Sequence, residues 1–135
     1  MHRVFISGIG VEIPEATISN DELVESFNAW VDIENVRRQA LGEEPIRKSD
    51  SDFIVYASGV KQRHVHTLDG ILDPQRMAPR IPARPDEALS VEAEFGVASA
   101  RKALDHAGLT GADIDMVICA ASHQQRPYPA ISIEI

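Results

Sequence analysis

A helix followed by an apolar run is encoded in residues 88–121, ALSVEAEFGVASARKALDHAGLTGADIDMVICAA. Apolar residues recur there every three to four positions, which predicts an amphipathic helix over residues 88–107. Gly108 is the residue type that commonly ends such a helix. Residues 116–121 are apolar without interruption, which predicts a strand buried on both faces in a parallel sheet. This order of elements indicates an α/β fold.

Capping residues and helix-ending glycines before residue 88 predict three further helices. Ser19 and Glu22 form the capping-box pattern that opens a helix. Gly42 and Gly59 are placed to end helices. The predicted helices cover residues 19 to 29–31, 36–41 and 50–59. A buried strand is predicted at 4–7, a loop at 10–18 and an extended segment at 60–67.

Composition and charge restrict the class of protein. The chain has 135 residues with a formal net charge of −8, 44% hydrophobic and 25% charged residues, which is typical of a folded globular chain. No apolar run approaches the ~18 residues of a membrane span, and the negative charge argues against a nucleic-acid partner. One cysteine, Cys119, excludes a disulfide framework and indicates the reducing cytoplasm. Its place in the predicted strand suggests a core residue.

The number of predicted strands indicates an incomplete domain. The two predicted buried strands, residues 4–7 and 116–121, have the character of central strands, and an α/β sheet needs further strands beside them. A last helix, predicted to begin at Pro129, has fewer than two turns before residue 135. Residues 1–135 are therefore expected to be the amino-terminal piece of a longer protein. Within them, residues 67–87 contain four of the eight prolines and are predicted to form a long inserted loop.

Two short motifs could indicate a ligand site, but each is incomplete. Gly8-Ile9-Gly10 follows a predicted strand, but the third glycine of a dinucleotide-binding fingerprint is missing, which favours a plain turn. His64 and His66 project the same way on a strand, and His123 would complete three metal ligands. No carboxylate is placed near them by the sequence, so a metal site is disfavoured.

A basic segment on an acidic chain is compatible with an anionic partner. Residues 37–84 hold nine of the thirteen basic groups and six acidic ones. Within this segment, a helix that presents Phe53 is followed by Lys61 and Arg63, a combination that can stack a base and hold phosphates. A solvated, mixed-charge surface is the alternative interpretation.

Several segments occur in an order that matches one family: 6–15, 19–23, 51–64, 98–109, 113–118 and the loop before Tyr128-Pro129-Ala130. In this order and spacing the chain resembles the amino-terminal part of β-ketoacyl-acyl-carrier-protein synthase III, of the thiolase-like superfamily. The resemblance covers nearly the whole chain except residues 31–48 and 67–87, which read as insertions.

The resemblance implies a five-layered αβαβα fold, a homodimer and an acyltransferase of fatty acid synthesis. Such an enzyme condenses an acyl-CoA primer with malonyl-acyl-carrier protein and keeps no permanently bound cofactor. Its catalytic Cys, His and Asn would lie in the remainder of the protein, so we expect no catalytic residue in these 135 residues and no activity from them alone. The insertions suggest a primer longer than acetyl, of medium length.

Two other classes of protein remain open. One is a noncatalytic thiolase-fold subunit that binds acyl carriers or pairs with an active subunit, and the downstream Cys-His-Asn set would distinguish it. The other is a free-standing nucleotide-binding module, which the unfinished last helix disfavours. A relative that transfers acyl groups to another acceptor is a variant of the first hypothesis.

The resemblance also assigns substrate-binding residues for the coenzyme A thioester. Phe53 matches the family's tryptophan that stacks on the adenine of coenzyme A, and Ser58 matches a nearby threonine. Ser49 matches a threonine at the mouth of the substrate tunnel. The family's phosphate-binding arginine falls on Ala57, where Lys61 or an arginine of residues 76–84 would substitute.

One further residue is assigned to the subunit interface. Tyr128 matches an aromatic residue that reaches into the acyl pocket of the partner subunit, so residues 123–130 are expected to lie at the homodimer interface.

Overall fold

The longest helix, α1, is opened by the predicted capping box. The computed structural model describes residues 3–122 and 124–135, and in it the Ser19 hydroxyl accepts a hydrogen bond from the Glu22 N–H. The Glu22 carboxylate accepts in return from the Ser19 N–H at 2.8 Å. α1 spans Asn20–Leu41 and ends at Gly42, whose φ is 71°. The predicted end at 29–31 was wrong, because no glycine or proline interrupts the helix before Gly42.

Asparagines along α1 hold the segment that returns beside the helix. Asn28 donates to the Ser49 carbonyl and accepts from the Ser49 N–H, both at 2.9 Å. Asn35 pairs in the same way with the N–H and carbonyl of Ile46, at 2.7 and 3.0 Å. Because these amides satisfy backbone groups that no strand pairs, they fix residues 46–49 in place.

A second helix and a two-stranded sheet follow. α2 spans Ser51–Ser58, with Asp50 as its N-cap and Gly59 as its C-cap, as predicted. β1, Thr17–Ser19, pairs antiparallel with β2, Gln62–His64. β2 lies inside the predicted extended segment, whereas β1 lies where a loop was expected up to residue 18.

The remaining helices belong to a second part of the chain. α3 spans Val91–Ala107, between the N-cap Ser90 and the C-cap Gly108, which confirms the predicted helix to within three residues. One turn of 3-10 helix covers Gly111–Asp113, and α4 is short, Ile131–Glu134. Residues 67–87 contain no helix or strand, as their prolines predicted.

The two strands predicted at residues 4–7 and 116–121 are absent. Neither segment makes a backbone ladder with another segment in the described part of the chain, and both expose their apolar side chains. A strand requires hydrogen-bonding partners on a neighbouring strand, and apolar sequence alone cannot supply them. The observed sheet is antiparallel and small, so the secondary structure is a mixture of helices and a small sheet.

The chain divides into two units, which we call the central unit, residues 14–82, and the terminal unit, residues 3–13 with 83–122 and 124–135. The central unit buries Ile18 and Val31, at 1% and 0% exposure, whereas the terminal unit buries Val91, Ala93 and Ile131 around the start of α3. None of the helices in the described residues has the length and apolar character needed to cross a membrane.

Candidate functional site

The α2 helix presents an aromatic face to solvent. Phe53 is 60% exposed and Tyr56, three residues later, is 90% exposed. Residues three apart on a helix are neighbours, so the two rings share one side of α2, next to the exposed Ala57. The Phe53 N–H donates to the Asp50 carboxylate at 2.7 Å, which fixes the first turn. This face has the chemistry to stack a flat, aromatic ligand.

The two serines assigned by the resemblance flank α2 in different environments. The Ser58 hydroxyl donates to the Ile54 carbonyl at 2.7 Å and accepts from the Val60 N–H at 3.2 Å, so it closes the end of the helix. Ser49 is half-buried, and its backbone is paired with Asn28. Ser49 and Ser58 thus lie at opposite ends of the helix that carries Phe53.

Ser49 lines a small apolar cavity between α1 and α2. The cavity measures about 230 Å³, and its lining residues are Leu23, Val24, Phe27, Ser49, Ile54 and Met77. Met77 comes from the proline-rich loop and has φ 49°, a backbone conformation that non-glycine residues rarely adopt. The proline-rich loop therefore contributes directly to the surroundings of Ser49.

Most cations of the basic segment are neutralised by neighbours. The Glu34 carboxylate forms ion pairs with the Arg37 guanidinium at 2.6 Å and the Arg38 guanidinium at 3.2 Å. The Lys48 ammonium pairs with the Asp32 carboxylate at 2.8 Å. The hydrogen bond from Arg37 lowers the pKa of Glu34, and the same bond raises the pKa of Arg37. These pairs reduce the basic character that the sequence suggested.

The basic residues that could take the place of the family's phosphate-binding arginine differ in whether their charges are already paired. Arg76 donates to the carbonyls of its own loop, at 3.0 and 3.3 Å, and Arg80 lies 3.4 Å from Asp73. Arg84 pairs with Glu94 at 2.7 Å, which raises the pKa of Arg84. Among the described residues, the exposed Lys61 ammonium has no hydrogen-bonding or ion-pair partner.

Tyr128 belongs to the terminal unit. It is 82% exposed and borders a cavity of about 470 Å³, whose lining residues are Arg84, Asp86, Gln125, Arg126, Tyr128 and Pro129. This exposure is compatible with an aromatic side chain that contacts another subunit. His123, the first residue of the predicted interface segment, lies outside the described residues.

The interpretation of Cys119 as a core residue was wrong. Its side chain is exposed, because residues 116–121 have no neighbouring strands in the described chain. The described residues contain no cluster of His, Cys, Asp and Glu side chains able to hold a metal ion. His64 instead contacts the Pro14 carbonyl through Nδ1 at 2.7 Å, and His123, the third candidate ligand, is outside the described part.

Two residues of the candidate site were missed by the sequence analysis. Tyr56 was detectable, since its three-residue spacing from Phe53 places both on one helix face. Met77 was not detectable, because its place beside Ser49 depends on the path of an irregular loop.

Known proteins with similar sequences identify the class. The chain is 47% identical, over 116 residues, to a β-ketodecanoyl-[acyl-carrier-protein] synthase of Pseudomonas aeruginosa. The matched region covers 83% of this chain and 33% of that protein. It is 30% identical over 135 residues to a β-ketoacyl-[acyl-carrier-protein] synthase III of Rhizobium johnstonii, and 29% to one of a Chelativorans species. No family profile matches the chain.

These relatives confirm the predicted relationship. The chain belongs to the β-ketoacyl-acyl-carrier-protein synthase III family and spans about a third of the length of the curated relatives that it matches.

Proposed function

We propose that this chain is the amino-terminal, coenzyme A-facing part of a longer condensing enzyme that works as a homodimer in the cytoplasm. The observation that carries the proposal is the 47% identity to a β-ketodecanoyl-[acyl-carrier-protein] synthase. In the complete protein, the exposed segments 4–7 and 116–121 would join the sheets of a five-layered αβαβα fold. Their apolar side chains suit such burial on both faces.

The proposed reaction is a decarboxylative Claisen condensation in fatty acid synthesis. A cysteine thiolate outside these 135 residues attacks the thioester of an acyl-CoA and keeps the acyl group, and coenzyme A leaves as its thiol. Malonyl-acyl-carrier protein then loses carbon dioxide, and the resulting carbanion attacks the acyl-cysteine. A carbon–carbon bond forms and the cysteine thiolate is released. A His and an Asn in the same remainder of the protein would stabilise the developing negative charge.

The name of the Pseudomonas aeruginosa relative suggests the length of the primer. A β-ketodecanoyl product has ten carbons, two of which come from the malonyl group, so the acyl-CoA primer would be octanoyl-CoA. A medium-length primer is also what the two insertions predict.

The role of the described residues in this reaction is to hold coenzyme A. Phe53 would stack on the adenine, and Tyr56 would widen the same face. Lys61, which follows the end of α2, would supply the positive charge that Ala57 does not. Ser49 and Ser58 would offer hydroxyl groups at the two ends of the helix.

The proposal is tested with the full-length polypeptide. Octanoyl-CoA and malonyl-acyl-carrier protein are supplied, and the β-ketodecanoyl product and carbon dioxide are measured with and without prior iodoacetamide treatment. We expect product only from the untreated protein. Absence of both product and acyl transfer with any acyl-CoA would contradict the proposal and favour the noncatalytic subunit.

A further inference from the structure

The start of α3 is capped by side chains that are distant in sequence. The Ser90 N–H donates to a Glu134 carboxylate oxygen, and the Val91 N–H donates to Gln125 Oε1, both at 2.7 Å. The Ser90 hydroxyl accepts from the Ala93 N–H at 3.2 Å. The first N–H groups of a helix have no partner inside the helix, so each acceptor fixes its own segment against α3.

A guanidinium reinforces the same attachment. Arg126 donates through Nη1 to the Asp86 carbonyl at 3.2 Å and through Nη2 to the Ala88 carbonyl at 2.9 Å. Together, Gln125, Arg126 and Glu134 hold the segment both before and after Tyr128. We call these three side chains the α3 clamp.

Tyr128 itself is held only through this backbone. Its side chain is 82% exposed and makes no hydrogen bond in the described part of the chain. The direction in which it points therefore depends on how firmly the flanking residues are anchored.

We propose that the α3 clamp positions Tyr128 and thereby makes Gln125 and Arg126 determinants of acyl chain length. This inference rests on the proposed function, together with the assignment from the family resemblance that Tyr128 enters the acyl pocket of the partner subunit. A displaced aromatic ring changes the depth of such a pocket, and one methylene of fit alters substrate discrimination about tenfold or more.

The clamp also explains how an insertion can affect specificity. Asp86 belongs to the inserted loop 67–87, and its carbonyl is one of the two that Arg126 holds. The end of the insertion therefore contacts the segment that carries Tyr128. In this account, Arg126 and Gln125 are positioning residues that do not touch the substrate.

The test compares substrates in the full-length polypeptide. Arg126→Met and Gln125→Leu each remove part of the clamp, and kcat/KM is measured with octanoyl-CoA and with acetyl-CoA. We expect the octanoyl-to-acetyl ratio to fall about tenfold in both variants. Gln125→Glu keeps an acceptor for the Val91 N–H and should keep the wild-type ratio. Arg101→Met, on the exposed side of α3, is the matched loss of an arginine and should keep it too.

A second comparison separates positioning from general stability. In a Tyr128→Ala background, Arg126→Met should leave the ratio unchanged, because the positioned ring is absent. Equal losses with both substrates in Arg126→Met and Gln125→Leu would overturn the inference while the proposed function stands. A wild-type protein that accepts no acyl-CoA would overturn the proposed function itself, and the inference with it.

Discussion

The two units of the chain differ in whether their extended apolar segments have partners. In the central unit, Ile18 and Val31 are almost fully buried, and both strands have a partner. In the terminal unit, Val4 and Ile118 are 93% and 85% exposed, although they occupy the most apolar segments. A helix satisfies its own backbone, whereas a strand depends on a neighbour. The comparison shows that the extended segments of the central unit pair within the chain, whereas segments 4–7 and 116–121 have no strand partner in the described residues.

The largest expected effect is in the terminal unit, where α3 does have a close partner. The Ile9 N–H donates to His106 at 3.2 Å, and Gly10 lies against the α3 backbone. A Cβ at Gly10 would overlap the Ser99 carbonyl and the Ala103 N–H, which are backbone groups that cannot move aside. Gly10→Ala should lower the free energy of unfolding by about 3 kcal/mol, measured by urea titration.

Gly111 provides the matched control for Gly10. A Cβ at Gly111 meets nothing within 4 Å, so Gly111→Ala should change the free energy of unfolding by less than about 0.5 kcal/mol. Equal effects of the two substitutions would show that residues 8–10 do not pack on α3.

The next largest effect is expected in the central unit, where Asn28 holds the segment beside α1. Asn28→Ala removes both hydrogen bonds to the Ser49 backbone and should destabilise the protein by about 2 kcal/mol. Gln39→Ala, on the exposed side of the same helix, is the control and should have little effect in the same urea titration. A small effect of Asn28→Ala would mean that residues 46–49 are not held by α1.

A smaller effect concerns binding by the α2 face. Phe53→Ala should weaken the binding of coenzyme A by about 1–2 kcal/mol, or roughly 5- to 30-fold in Kd, because the stacking surface is lost. Val55→Ala, on the opposite side of α2, should leave the Kd unchanged. Isothermal titration of the full-length polypeptide measures both. An unchanged Kd in Phe53→Ala would remove this residue from the site.

The smallest effect concerns pH and the start of α1. The hydroxyl and backbone N–H of Ser19 lower the pKa of Glu22. A carboxyl with a lowered pKa stabilises the folded state above its ordinary pKa, and this stabilisation disappears as the pH falls through the lower, folded-state value. Glu22→Gln should therefore be less stable than wild type at pH 7, and the difference should shrink as the pH falls below the ordinary pKa of a glutamate carboxyl. Glu25→Gln serves as the control, and an equal pH dependence in both variants would contradict the assignment.

Most helix ends could be predicted from the sequence because capping signals are local, whereas the continuity of α1 past residue 31 was missed. Ser19, Asp50 and Ser90 begin helices, and Gly42 and Gly108 end them. The pairing of the strands could not be predicted, since it joins residues far apart, as between Thr17 and His64, although β2 lies inside a predicted extended segment. The same reasoning explains the error over Cys119, whose burial was inferred from strands that the described chain does not contain.

The candidate site was predictable only in part. Phe53, Ser49 and Ser58 were identified through the resemblance to a family. The structure places Phe53 and Ser58 on one short helix and Ser49 just before its start. The contribution of Met77 and the anchoring of Tyr128 by Arg126 depend on irregular loops. Loop paths of this kind follow from tertiary contacts, for which the sequence has no periodic pattern.

The central claim is that these residues bind the thioester substrate while the reactive cysteine lies elsewhere in the polypeptide. Incubation of the full-length polypeptide with octanoyl-CoA alone, followed by peptide mass spectrometry, tests this claim most directly. We expect the octanoyl group on a cysteine outside residues 1–135, with Cys119 unmodified and a Cys119→Ser variant labelled to the same extent. An octanoyl group on Cys119, or no acylated cysteine when all thiols are free, would contradict the account.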